Sequence, residues 1–129
     1  MNICVDTRVL EEIAGENKKQ KDWFYSSLTN PSVHIFLPTI VISEFVCISM
    51  RKRSFEEAKN LVDSLKAIPK LNIMGLSSEI AIESGKLQWQ HKIGIGDCIV
   101  AATAKIYKCE FVRTDHKDFD KISGIRRSW

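Results

Sequence analysis

The chain has 129 residues, with 19 Lys and Arg against 16 Asp and Glu, for a formal net charge of +3. That length suits one domain, and 44% hydrophobic with 27% charged residues is the composition of a folded globular chain, which excludes intrinsic disorder, a collagen-type repeat and a disulfide miniprotein. A net charge this small does not decide for or against a nucleic-acid partner.

Cys4, Cys47, Cys98 and Cys109 show no C-x-x-C spacing. They read as buried reduced thiols of a cytoplasmic protein, not as zinc ligands or disulfides. No secretory signal is expected, because Asp6, Glu11 and Glu12 precede any long apolar stretch. The most apolar segment, residues 31–50, contains Glu44 and is divided by Pro38 into pieces shorter than the ~18 residues a spanning helix needs. It predicts a buried strand followed by a buried helix, with no membrane association.

In chain order, NICV at 2–5 predicts a short buried strand with Asp6 at its carboxyl end, and a helix then runs to Gly15. A Lys-rich helix follows over 17–29 and stops at Asn30-Pro31. VHIF at 33–36 is a second strand, and Pro38-Thr39 opens the apolar helix of 39–50. Ser54 and Glu57 form a capping-box pattern ahead of the next helix, which Pro69 ends. LNIMGL at 71–76 is a third strand, and Ser77 or Ser78 begins a helix to about Lys92. Gly94-Ile95-Gly96 breaks the chain before a strongly apolar helix starting at Asp97. EFVR at 110–113 is a fourth strand, and Gly124–Arg126 supplies a short fifth. Apolar strands alternating with helices predict a three-layer α/β/α domain around a short parallel sheet of four to five strands, as a single domain over residues 1–129.

Four carboxylates stand in surroundings that need a reason. Asp6 and Asp115 follow strands and so emerge at the carboxyl edge of the sheet, where open α/β folds bind ligands; each also fits a cap or turn. Glu44 is the only charge in TIVISEFVCISM, and an ionised carboxylate there needs a cation or a water-filled cleft. Asp97, behind Gly-Ile-Gly, suits both an N-cap and a cleft. These acids match no local zinc pattern, and oxygen donors from distant segments favour a hard cation, Mg²⁺ or Mn²⁺.

The segments VDTRVL at 5–10, ISEF at 42–45, GIGDCIVAATA at 94–104 and RTDHKDF at 113–119 together resemble the motifs of the PIN domain family. In size the chain is similar to the single-domain VapC-type ribonuclease toxins of prokaryotic toxin–antitoxin pairs. The resemblance implies an endoribonuclease that uses Mg²⁺ or Mn²⁺, acts on RNA to leave a 5′-phosphate and a 3′-hydroxyl, forms homodimers and has a cognate antitoxin. It places Asp6, Glu44 and Asp97 in the three principal acidic positions and Asp115 in the fourth, supported by Thr7, Thr114 and Asp118. Arg8, Arg51, Lys52 and Arg53 are candidate RNA contacts, although short basic runs also serve as solvated helix ends.

Two features depart from the family pattern. Arg8 stands where a small polar residue is usual, placed to meet phosphate or an intramolecular acid. The family's fourth motif sets its Thr two residues before the acid, whereas Thr114 directly precedes Asp115, which leaves His116 and Asp118 as alternative occupants of that position. Two rivals with similar layers lack their marks: a receiver domain wants an Asp after the third strand, and a haloacid-dehalogenase-type phosphatase wants D-x-D after the first. A catalytically silent PIN-fold RNA- or protein-binding module and a housekeeping RNA-processing nuclease share the same motifs.

Overall fold

The computed structural model describes all 129 residues. Its elements are β1 (Asn2–Val5), α1 (Thr7–Ala14), α2 (Lys18–Thr29), β2 (His34–Pro38), α3 (Thr39–Lys52), α4 (Phe55–Lys66), β3 (Asn72–Met74), α5 (Ser78–His91), α6 (Ile95–Ile106), β4 (Phe111–Arg113) and β5 (Arg127–Ser128), with a 3₁₀ turn at Lys117–Lys121 between the last two strands. The sheet is entirely parallel, in the order β3-β2-β1-β4-β5. The expected three-layer α/β/α architecture with a single short parallel sheet is therefore the observed one. The chain steps outward from β1 through β2 to β3, and α5 and α6 then bring it back to β4 on the other side of β1.

The core explains why the strands read as unbroken apolar runs. Ile3, Cys4 and Val5 of β1, Ile35 and Leu37 of β2 and Val112 of β4 are all sealed from solvent, because helices cover both faces of the sheet. α6 packs on β1, β2 and β4, and its run from Cys98 to Ala104 is buried. The small Ala residues of that run let the helix lie close to the sheet.

Several local expectations shift for identifiable reasons. β3 is shorter than 71–76 because its last partner on β2 is Pro38, which has no N–H to extend the ladder. Gly124, with φ of +82°, makes a turn, so β5 begins at Arg127 and not at 124. α6 starts at Ile95 with Gly94 as its cap, so the Gly-Ile-Gly segment opens the helix instead of interrupting the chain. Ser54 does cap α4, accepting from the Glu57 N–H at 3.1 Å. Of the cysteines, Cys4 and Cys98 are buried, but Cys47 is exposed on α3 and Cys109 is only half-buried. No helix is long and apolar enough to cross a membrane.

Candidate active site

The strand order reverses direction between β1 and β4, the position where a parallel sheet opens a crevice at its carboxyl edge. Val5 is in register with Arg113, so the next residues, Asp6 and Thr114, emerge side by side. Thr114 donates its hydroxyl to Asp6 Oδ2 at 2.8 Å and accepts the His116 backbone N–H at 3.0 Å. One buried hydroxyl thus ties the end of β1 to the turn that follows β4.

Two helices form the walls. α1 contributes Thr7, Arg8 and Glu11, and α3 contributes Glu44, Ile48 and Lys52, which recur every four residues along one face. Asp97 and His116 complete the lining. Glu44 lies one position from the stripe Val41, Phe45 and Ser49 that α3 buries, which is why an acid in so apolar a helix reaches a cleft. Thr7 holds it, donating to Oε1 at 2.9 Å.

Gly96 explains how Glu44 and Asp97 come together. A Cβ at residue 96 would stand 2.5 Å from Glu44 Oε2 and 3.2 Å from Oε1, inside van der Waals contact. The first turn of α6 can lie against the Glu44 carboxylate only because this residue has no side chain. Asp97 sits within that turn and is not the N-cap the sequence also allowed. Asp6 occupies the cap position of α1, yet its side chain makes no capping bond.

The basic group that meets the cluster is an imidazole, His116, with Nδ1 3.2 Å from Asp97 Oδ2. Asp6 is 4% exposed, and no Lys or Arg pairs with Asp6, Glu44 or Asp97. Burial pushes the Asp6 carboxyl above its ordinary value, against the lowering effect of the Thr114 hydroxyl. Burial also raises Glu44, with the neighbouring Asp6 charge adding to it. Asp97 is raised by burial and by Glu44, while His116 pulls it down. Asp6, Asp97 and His116 each offer a donor atom within 4.8 Å of the others, a spacing compatible with one shared ion.

The remaining expected residues fall elsewhere. Asp115 is turned out of the cleft onto Arg8, whose Nε and Nη2 donate to its two oxygens at 3.0 and 3.3 Å. Arg8 holds Glu12 as well, at 2.8 Å. Of the Arg51–Arg53 run, Lys52 and Arg53 approach Glu11 at 3.5 and 3.4 Å, and Arg51 is exposed. Asp118 stands behind His116, 3.5 Å from its Nε2. The structure therefore gathers Asp6, Glu44 and Asp97, keeps Thr7 and Thr114 as their hydrogen-bond donors, and brings in His116 where Asp115 was the first choice. The signal for His116 lies in the sequence: it stands two residues after Thr114, the family's spacing for the fourth position. Glu11 and Gly96 had no such signal.

The sequence matches the PIN domain family over residues 3–125, and the chain belongs to that family. Solved structures share the fold at low identity. The VapBC2 complex of Rickettsia felis, bound to a DNA fragment from its promoter, has a chain 17% identical with a TM-score of 0.78, covering 99% of this chain and 98% of that one. VapC20 of Mycobacterium tuberculosis, a toxin that cleaves the sarcin–ricin loop, is 13% identical with a TM-score of 0.79 over 96% of each chain. A chain of FitAcB from Neisseria gonorrhoeae is 20% identical with a TM-score of 0.71, covering 97% of this chain and 95% of that one. No curated protein sequence matches this one.

Proposed function

We propose that this chain is a metal-dependent endoribonuclease, the toxin of a VapBC-type pair, hydrolysing RNA phosphodiester bonds with Mg²⁺ or Mn²⁺. One observation carries the reading: three acids from distant segments converge in one cleft with no lysine or arginine to neutralise them. Carboxylates about 4 Å apart repel by roughly 4 kcal/mol at an effective dielectric of ~20, and a divalent cation relieves that repulsion. When bound, the ion supplies Lewis acidity and a lowered water pKa for attack on phosphorus.

The chain's own residues do the rest. Asp6 and Asp97 would hold the ion, oriented by the Thr114 hydroxyl and by the first turn of α6 respectively. Glu44, fixed by the Thr7 hydroxyl in the same cleft, would take the proton of the attacking water. Arg8 and Lys52 line the same cleft, and flanking phosphates would share them with the acids they already meet, Asp115 and Glu12 on Arg8 and Glu11 on Lys52. The antitoxin partner rests on the fold shared with the VapBC complexes. Homodimerisation is proposed with it, supported by Ile82 and Trp89, which leave one face of α5 apolar at 74% and 82% exposure.

The test is cleavage of a fluorescent single-stranded RNA by the purified chain. Cleavage that needs Mg²⁺ or Mn²⁺, stops with chelator and is lost in Asp97→Asn is the expected result. RNA protected without being cut, at any concentration of either ion, would favour a silent binding module instead.

A further inference from the structure

We propose that His116 is a direct ligand of the ion through Nδ1, oriented by Asp118, and that the resulting nitrogen–oxygen donor set makes the centre prefer Mn²⁺ to Mg²⁺. This rests on the metal-dependent nuclease reading and assigns the position that Asp115 leaves open.

The geometry acts at three points. The turn after β4 is pinned by Thr114, which accepts the His116 N–H and thereby sends residue 116, not 115, toward Asp6. Asp115 is committed elsewhere by its two bonds to Arg8. The His116 ring then lies with Nδ1 3.2 Å from Asp97 Oδ2 and Nε2 3.5 Å from Asp118 Oδ2, and it meets Phe119 edge-on with centroids 6.1 Å apart. Each ring nitrogen has a different task in this arrangement. Asp118, outside the cluster and also 3.1 Å from Lys121, has a carboxylate oxygen 3.5 Å from Nε2; with the ring proton on Nε2, the Nδ1 lone pair would face Asp97 and the ion between it and Asp6. Metal-binding histidines are generally oriented by a carboxylate on their second nitrogen in this way.

The spacing is suitable. Adjacent ligands around one ion at ~2.1 Å lie ~3.0 Å apart and opposite ones ~4.2 Å; His116 Nδ1 and Asp97 Oδ2 already stand 3.2 Å apart, and the Asp6 donor, within 4.8 Å of both, has to close further. Chemistry supplies the selectivity. Mg²⁺ keeps to oxygen donors and near-ideal octahedral geometry, whereas imidazole nitrogen strengthens binding of first-row transition ions. His34 and His91 lie outside the cleft, so any histidine nitrogen on the ion belongs to His116.

Pulsed electron paramagnetic resonance of Mn²⁺ bound to the full chain, stripped of metal beforehand, tests this without reference to activity. The parent should show ¹⁴N coupling from a coordinated imidazole, and Mg²⁺ should displace Mn²⁺ only in large excess. His116→Asp, checked for folding by circular dichroism, should still bind Mn²⁺, lose the nitrogen coupling and lose most of the preference over Mg²⁺. Asp118→Asn should keep the coupling while weakening Mn²⁺ binding by roughly tenfold or more. Mn²⁺ bound to the parent with no nitrogen coupling, or with equal affinity for Mg²⁺, would overturn the assignment and leave the acid centre standing. Failure of the parent to bind Mn²⁺ at all would remove both.

Discussion

Asp6 and Glu11 are buried carboxylates five residues apart, 4% and 6% exposed, and both border the same cleft. Glu11 is met by two cations, Arg53 and Lys52. Asp6 has no lysine or arginine partner: the Thr114 hydroxyl donates to it, Asp97 and His116 stand close by, and burial raises its pKa. Burial is therefore the same for both, and pairing is what differs. A buried acid with its own cations is part of the scaffold, whereas one that faces other acids is a site whose balancing charge must come from outside the chain.

The largest effect should separate the two in activity. Asp6→Asn removes a charged ligand and should cut the rate of RNA cleavage in Mn²⁺ by at least about 100-fold, read from initial rates on a fluorescent RNA. An activity within a few-fold of the parent would make Asp6 another scaffold acid.

Stability should separate them in the opposite sense. Glu11→Ala leaves Arg53, whose side chain is 16% exposed, without its acid. Losing one partner of a buried pair costs about 3–5 kcal/mol. The contacts here are long and Lys52 is 62% exposed, so about 2 kcal/mol is the discounted expectation, or roughly 8 °C in thermal denaturation. An unchanged melting temperature would show that the cations do not hold Glu11 in place.

Gly96 sharpens the comparison further, because it serves the unpaired cluster alone. Gly96→Ala puts a methyl group where the Glu44 carboxylate lies, and that carboxylate, at the end of a flexible chain, would swing away from Thr7. Cleavage should fall by about 10- to 100-fold with no loss of melting temperature, since Ala is the better helix former by up to ~1 kcal/mol. Adding Glu44→Asp, which is one methylene shorter, should recover part of the rate. A fall in stability with no change in cleavage would assign Gly96 to packing.

What the sequence shows and what it hides follow the same division. Strands, helices and layer order are legible because apolar runs record burial directly: NICV is a strand covered on both faces, and CIVAATA is a helix buried against the sheet. Asp6, Glu44 and Asp97 are legible because a charge in an apolar run needs a reason. Partner choice is not encoded locally: whether Asp115 or His116 faces the cluster is decided by Arg8, more than a hundred residues away in the chain. The pairing of Glu11 with the 52–53 cations spans two helices in the same way. Gly96 reads as a chain break because nothing in its own segment reveals that Glu44 will occupy the space of its missing Cβ.

The smallest effect is the dependence of stability on pH, where the two kinds of acid have opposite signs. Asp6, Glu44 and Asp97 have folded values raised above the ordinary 3.8 for Asp and 4.5 for Glu. The folded state therefore holds protons that the unfolded state has lost. Without metal, stability should decline as pH rises from those ordinary values through the raised ones. Asp115, lowered by its bonds to Arg8, works the other way. Its contribution is present above 3.8 and lost as pH falls through the depressed value, and it is small because both side chains are about 40% exposed. The two windows lie on opposite sides of the ordinary carboxylate range, so one pH series of thermal melts in metal-free buffer resolves them. Asp6→Asn should flatten the upper decline and melt no lower than the parent at neutral pH, and Asp115→Asn should flatten only the acid side. A steeper upper decline in Asp6→Asn would mean that the carboxylate of Asp6 stabilises the metal-free fold, as a paired acid does.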